Sequence, residues 1–442
     1  MDMNPEKRIR RHILSKSYRF LAVVQPAFRD TTMKELAEKG FSIVGAVESG
    51  VEFEGRMEEG WRANLLLRTV SRVYCRIESF RAGAREELYR KALGIPWELW
   101  IDPHIPLRVE SSARGSRVHH EGVLRDTIRE AIHHRWKESG TDIPRQGRSI
   151  GENMEEPENL GGPEEHLVQR VLVHSEGSRC TLSLDMSGEG LYRRGYRTIP
   201  GEAPIREDLA ASLLLELGWR GEGILCDPMT GSGTFAIEGS LMAEGIPAGW
   251  NRRFQFQNWP SFRENRWNYI RKQAISALSW DTGTGQSMET YHPSKSPSGG
   301  KEGLYGCFAS DVDARAVQTA RRNSTDAGVE ECIHLEEKDF FTIDGEFVES
   351  RIREFRKSKV HSRSRFLVLN PPYGKRLGID GEYFRRLWTH IHTAFPHWKI
   401  LLLLPASVDL TGMPGSKRAR RLLFRHGGLR IQALFLQRGP LP

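Results

Sequence analysis

The run Phe366-Leu367-Val368-Leu369 is aliphatic or aromatic throughout and follows a polar segment, so it reads as a short buried strand. Asn370-Pro371-Pro372-Tyr373-Gly374 follows at once. Neither proline carries an amide hydrogen, so the pair ends the ladder. Asn370 is thereby held at the C-terminal end of a strand, the edge along which open α/β sheets bind ligands. An Asn-Pro pair alone is an ordinary turn, but the five-residue string placed after a strand is far more specific.

Such an edge suits an exocyclic amine on a nucleobase, whose lone pair is delocalised into the ring. The Asn370 side-chain oxygen and the Pro371 carbonyl are placed to accept its two N–H bonds. That steers the lone pair toward an electrophilic methyl group, with Tyr373 to stack on the base and Pro372 to fix the turn. Three further strand ends repeat the pattern. Ile224-Leu225-Cys226 leads into Asp227-Pro228-Met229-Thr230-Gly231-Ser232-Gly233-Thr234 and then a helix with Phe235, Ile237 and Leu241. A glycine-rich loop there admits a ligand to the backbone and presents free N–H groups. No Gly-Lys-Ser/Thr follows, which excludes a Walker loop. Gly306-Cys307-Phe308-Ala309-Ser310 ends in Asp311, a carboxylate placed for the two ribose hydroxyls of an adenosine group, or for capping the next helix. Asp339-Phe340 follows Ile333-His334-Leu335 and reads either as an adenine contact or as a loop acid before a buried ring.

At 442 residues the chain is too long for one ordinary domain. A formal charge of +8 leans toward an anionic partner such as RNA. The five cysteines are scattered without C-x-x-C spacing, so neither a zinc site nor a disulfide framework is indicated, and a reducing cytoplasm is the expected compartment. No apolar run reaches membrane-spanning length. Residues 1–17 read as a basic, mobile tail. From Phe20 the order strand, helix (Asp30 to Gly40), two strands, helix (with Trp61) suggests a ferredoxin-like unit over 18–75. Leu107-Arg108-Val109 reads as a strand and Ser111 to Ser116 as a small-residue turn. Val118 to Lys137 is amphipathic, with Arg117, Arg125 and Arg129 among the cations on its polar side. Its paired histidines diverge by about 100° on a helix, so a solvated basic face, with RNA phosphate as its partner, is expected rather than a metal site. Leu167–His174 and Arg179–Asp185 follow as strands. Thr141–Glu165 and Asp281–Glu302 are polar inserts. Ala203-Pro204-Ile205-Arg206-Glu207 opens a helix that stops at Gly218. The tail of the chain reads as Leu401 to Leu404, a basic Lys417 to Arg421 stretch and a final strand Leu429 to Leu436.

Taken together, Leu184-Asp185-Met186-Ser187-Gly188-Glu189-Gly190-Leu191-Tyr192-Arg193-Arg194-Gly195-Tyr196-Arg197, the Ala-Pro-Ile-Arg-Glu helix entry, Asp-Pro-Met-Thr-Gly-Ser-Gly-Thr, Ser-Asp-Val-Asp-Ala-Arg and Asn-Pro-Pro-Tyr-Gly resemble the THUMP-domain-containing RNA guanine-N2 methyltransferases, in particular their large-subunit ribosomal RNA branch. The resemblance runs from about Tyr18. It implies an α/β fold: a Rossmann-like class I methyltransferase domain over 186–442, with the insert 281–302, preceded by a ferredoxin-like domain and a THUMP domain over 76–185 that bind RNA. S-adenosyl-L-methionine is the implied cofactor, with no metal. Carried across by motif, Asp227, Met229, Gly231, Gly233 and Thr234 line its methionine end, and Pro204, Ile205 and Arg206 close over the amino-acid group. Asp311 holds the ribose, Asp339 and Phe340 meet the adenine, and Asn370, Pro371 and Tyr373 hold a flipped guanine. The family's loop usually has Cys where this chain has Thr230, a change expected to keep the loop. The chain ends after one such domain, so a second methylation activity is not expected. Transfer RNA as substrate, adenine N6 as target and a catalytically silent assembly factor are the alternatives. Oligomeric state stays open.

Overall fold

The computed structural model describes residues 4–115, 120–140, 168–197, 204–276, 305–356, 360, 362–372, 381–408 and 418–436. These divide into two compact units. Both polar inserts, Arg117, Tyr373 and Gly374 lie outside the described residues.

The first unit takes residues 1–24, 32–191 and 252–271. Its strands are β1 (Tyr18–Val23), β2 (Ser42–Val47), β3 (Gly50–Gly55), β4 (Arg72–Arg81), β5 (Leu107–Arg114), β6 (Gln169–Glu176) and β7 (Arg179–Asp185). They form one sheet in the order β2-β3-β1-β4-β7-β6-β5, antiparallel except for the parallel β5–β6 pair. The expected ferredoxin-like order is present, and β4 continues past it to pair with β7, so the sheet runs on without a break. Helices α1 (Pro5–Ile9), α2 (Arg29–Glu38, whose first three residues belong to the other unit), α3 (Met57–Leu66), α4 (Arg85–Leu93) and α5 (Glu121–Glu138) accompany these strands.

Two expectations need correction. Residues 5–14 are helical rather than a loose tail, because Ile9 and Ile13 are buried and Arg8 pairs with Glu98. The cations around those two isoleucines hide an apolar spacing of four, which is one helical face. Ser111 to Arg114 continue strand β5, in register with Val173 to Glu176 of β6, where small residues had suggested a turn. Arg125 and Arg129 do face solvent on α5, yet both lie against Asp126, so that face carries less surplus charge than its arginines imply.

Asp185 at the end of β7 is a hub. Its carboxylate accepts the Ser187 amide at 2.8 Å and pairs with Arg72, while the Ser187 hydroxyl donates to Asn64 at 2.6 Å. Residues 252–271 add an aromatic strap, in which Phe256 stacks on Trp61 with ring centres 5.7 Å apart and packs against Trp267.

The second unit takes residues 25–31, 192–251 and 272–442. Its strands are β8 (Gly223–Asp227), β9 (Tyr305–Asp311), β10 (Ile333–Glu337), β11 (Arg365–Leu369), β12 (Lys399–Pro405), β13 (Arg420–His426) and β14 (Leu429–Leu436), in the order β10-β9-β8-β11-β12-β14-β13. The first five are parallel and the last two antiparallel. Helices α6 (Glu207–Leu217), α7 (Thr234–Ala243), α8 (Glu264–Ser276, whose first part belongs to the other unit), α9 (Ala314–Asp326), α10 (Gly345–Arg356) and α11 (Gly381–Ala394) complete the chain. Leu367, Leu369, Leu402 and Leu434 pack with Val348, Ile352, Ile391 and Phe395, which explains the near-continuous apolar strands. The basic stretch ending at Arg421 proves to lead into a strand, β13, because Arg420 lays its guanidinium over Phe435, with its carbon 4.0 Å from the ring centre. Among the described residues, no helix is long and apolar enough to cross a membrane.

Ile13→Ala tests the N-terminal helix. Truncating a fully buried isoleucine costs about 2–5 kcal/mol, so the first unit should melt measurably earlier, whereas a loose tail would leave the midpoint unchanged.

Candidate active site at the sheet switch point

β8 and β11 are adjacent, with Leu367 opposite Cys226, but the strands that follow β8 in sequence, β9 and β10, lie on its other side. The order therefore reverses between β8 and β11, and such a reversal opens a crevice at the C-terminal strand ends. Asp227 ends β8, Asp311 ends β9, Asp339 stands two residues beyond β10, and Asn370 directly follows β11. Four separate sequence segments are thus brought to one sheet edge.

The glycine loop is stitched to that edge from two sides. The Thr230 amide donates to the Ser310 carbonyl at 2.9 Å, and the Gly231 amide to Asp311 Oδ2 at 2.9 Å. From α9, the buried Asn323 donates through Nδ2 to the Ser232 carbonyl at 2.9 Å. Gly231 has φ +53°, and a Cβ built there would meet no atom within 4 Å, so its backbone borders open space. Gly233, at φ +85°, instead packs its Cα side against Ala320, where a Cβ would come within 3.1 Å. Of the two glycines, Gly231 is the one a ligand can reach, while Gly233 permits close helix packing and starts α7.

Asp227 is fully buried, and Thr230 donates its hydroxyl to Oδ2 at 2.8 Å. Burial pushes this carboxyl up to about 7, the neighbouring Asp311 charge acts in the same direction, and the Thr230 hydroxyl and Ala236 amide oppose it. Asp311 is partly exposed; its Oδ1 accepts the Asp313 amide at 3.0 Å, and Asp313 rather than Asp311 caps α9. Asn370 Oδ1 is buried and has no hydrogen-bond partner among the described residues. Pro371 beside it is buried, and Met229 packs on the core below.

Other expected contacts have a different setting. Asp339 is exposed and accepts the Phe341 amide at 3.0 Å. The Phe340 ring is turned into the core, stacked on Phe395 at 5.8 Å, so it cannot stack on a base. Its half-buried neighbour Phe341 carries the Arg386 guanidinium 3.9 Å from its ring centre. Pro204 is half-buried, Ile205 is buried, and Arg206 is bound to Asp208 with its guanidinium 4.1 Å from the Tyr192 ring centre.

Sequence reading missed what holds that segment. Arg197 Nη2 donates to Thr234 Oγ1 at 2.7 Å and to the Ile205 carbonyl at 3.3 Å, and lies 3.3 Å from Glu207 Oε1. Glu207 is pushed up to about 7 by burial, against the pull of Arg197. Beneath it, buried Arg194 lies 3.5 Å from Glu238, which also accepts the Tyr196 hydroxyl at 3.2 Å. Within the Arg-Arg-Gly-Tyr-Arg string, Arg194 and Tyr196 are therefore a buried polar layer, and half-buried Arg197 clasps the helix entry. Its acidic partners, Glu207 and Glu238, stand 10 positions beyond Arg197 and 44 beyond Arg194, a pairing that chain order alone does not reveal.

Two family descriptions match the chain: "RMKL-like, methyltransferase domain" over residues 194–399 and "RlmL ferredoxin-like domain" over 19–74. The longer match, over residues 194–399, takes in the glycine loop, Asp311, Asp339 and Asn370. The chain is 28% identical over 415 residues to the ribosomal RNA large subunit methyltransferase K/L of Shewanella pealeana, covering 93% of this chain and 51% of that protein. It thus spans about half the length of several curated relatives it matches. A putative RNA methyltransferase of Synechocystis is 27% identical over 414 residues, covering 93% of this chain and 94% of that one. Among solved structures, a predicted N6-adenine-specific DNA methylase from Listeria monocytogenes superposes with a TM-score of 0.72 at 25% identity over 99% of both chains. A putative methyltransferase complexed with SAH shares the fold with a TM-score of 0.71 at 23% identity, over 97% of this chain and 100% of that one.

Within the methyltransferase domain, Asp227→Asn gives a test with a defined sign. The folded carboxyl has its affinity for protons raised above the unfolded value, so its contribution to stability is present at low pH and is lost as pH rises through about 7. Thermal midpoints should show the asparagine variant gaining on the parent at pH 8 and the gain shrinking by pH 5. A pH-independent difference would mean that burial does not control this group.

Proposed function

We propose that the chain methylates the exocyclic N2 of a guanine in 23S ribosomal RNA, using S-adenosyl-L-methionine. The observation that carries this reading is the buried Asn370 Oδ1, without a hydrogen-bond partner among the described residues, at the end of β11 next to β8 at the switch point. A buried amide oxygen without a donor is costly unless a ligand supplies one. The residues present also suit the cofactor. Gly231 leaves its backbone open, Asp311 offers a carboxylate fixed by the loop amide, and Asp227 carries a buried carboxyl beneath. The similar structure complexed with SAH supports the same choice.

When bound, the cofactor supplies an electrophilic methyl group on a sulfonium. The chain supplies position. Asn370 Oδ1 and the Pro371 carbonyl accept the two amine protons, which turns the nitrogen lone pair out of the base plane and toward the methyl carbon. Tyr373 stacks on the flipped base. After transfer the nitrogen is cationic and acidic, and one of its protons leaves to solvent. Asp311 takes the ribose hydroxyls and Asp339 the adenine edge. Residues 76–185 form the THUMP module, and Arg125 and Arg129 on α5 meet RNA phosphate. The names of the ribosomal RNA relatives support large-subunit RNA as the substrate.

Methyl transfer from labelled S-adenosylmethionine onto separated ribosomal and transfer RNA pools from a strain lacking the gene, followed by nucleoside mass spectrometry, tests the reading. N2-methylguanosine in large-subunit RNA is expected. The same product in transfer RNA alone overturns the substrate, N6-methyladenosine overturns the base, and no product at all leaves a silent RNA-binding factor.

Asn370→Ala should lower turnover while sparing RNA binding. Loss of one positioning hydrogen bond costs about 2–4 kcal/mol of barrier by analogy with an oxyanion-hole donor, or roughly thirty- to a thousandfold in kcat. An unchanged kcat would show that Asn370 does not hold the amine.

A further inference from the structure

We infer that the β13–β14 hairpin is a docking surface for the phosphate backbone of the RNA substrate. This rests on the reading that the substrate is RNA. From Leu410 to Pro442 the sequence holds seven Lys and Arg (417, 418, 420, 421, 425, 430 and 438) and no Asp or Glu. Within the described hairpin, Arg425 lies directly opposite Arg430 in the strand register. Directly opposed side chains share a face with Cβ atoms about 4.5–5.5 Å apart, and like charges so placed destabilise a hairpin. Arg421, four residues before Arg425, is on that same face by the two-residue period of a strand. All three arginines are exposed, and none forms an ion pair with an acid among the described residues. Arg420, on the opposite face, is the one neutralised, lying 2.7 Å from Glu216.

Arginines on an edge strand also serve to discourage pairing with another sheet. Here that task is already met. Gln25 accepts the Arg425 amide at 3.0 Å and donates to the Arg425 carbonyl at 2.8 Å, so both outward backbone groups are occupied. The turn Pro26–Phe28 covers the same edge, with Phe28 packed against Phe424 at 5.5 Å between ring centres. What remains unexplained by the fold is the directly opposed Arg425–Arg430 pair, with Arg421 about 13 Å along the same strand face, beside Leu423, which is half-exposed. Unbalanced cations at a spacing fixed by a strand register fit a polyanion, whose phosphates relieve the repulsion.

Arg430→Glu in the full chain separates this role from a structural one. The substitution puts an opposite charge across from Arg425, which favours the hairpin, so the thermal midpoint should hold or rise. Affinity for naked large-subunit ribosomal RNA should fall about tenfold at moderate salt, and the slope of log affinity against log salt should shrink by about 1. S-adenosylmethionine affinity should be unchanged, and Arg430→Lys should restore RNA binding. Unchanged RNA affinity and salt slope in the glutamate variant, with the parent protein binding normally, overturns the docking surface alone. Loss of RNA affinity only in step with a lowered midpoint overturns it too. Failure of the parent protein to bind RNA at all defeats the RNA reading itself.

Discussion

The Gly231 amide, bonded to the Asp311 carboxylate, joins the ends of two parallel strands. With Thr230 bonded to Ser310 and Asn323 bonded to Ser232, this bond keeps the glycine loop close to the sheet edge and its open side free. A parallel sheet places every strand's C-terminus on one edge, and reversal of strand order between β8 and β11 keeps the connections from closing over it. Asp227, Asp311, Asp339 and Asn370 come together for that reason, although up to 143 residues of chain separate Asp227 from Asn370.

The same edge explains why buried polar groups are tolerated. Asp227 and Glu207 are both raised to about 7 by burial, and each has a partner that offsets part of the cost: the Thr230 hydroxyl for one, Arg197 for the other. The Thr230 hydroxyl makes a bond to Asp227 that a thiol in its place would make more weakly. The signature string has two structural roles, with Asp185 organising the end of β7 in one unit, and Arg194 and Tyr196 forming a buried polar layer while Arg197 clasps the helix entry in the other.

Strand ends were readable in the sequence because apolar runs stop sharply at Asp or Asn beside proline or glycine, as at Asp227 and Asn370. Facing direction was harder to read. Phe340 and Phe341 are adjacent and chemically identical, and only the tight turn after Asp339 decides that Phe340 enters the core. Arg420 and Arg421 masked strand β13, because a cation lying flat on Phe435 counts as polar in any periodicity. Isoleucines 9 and 13 were overlooked amid arginines for the same reason. Chain order carries no signal that residues 252–271 pack with Trp61, or that Gln25 pairs with the backbone of Arg425; both contacts arise only once the separate sheets exist.

Calorimetric titration of S-adenosylmethionine into the parent protein, Asp311→Ala and Asn370→Ala tests the central claim most directly. If one sheet edge holds the cofactor on β9 and the target base on β11, the parent binds, the Asp311 variant loses most of its affinity, and the Asn370 variant binds as the parent does. Absence of binding to the parent, or equal loss in both variants, would contradict that division of the edge.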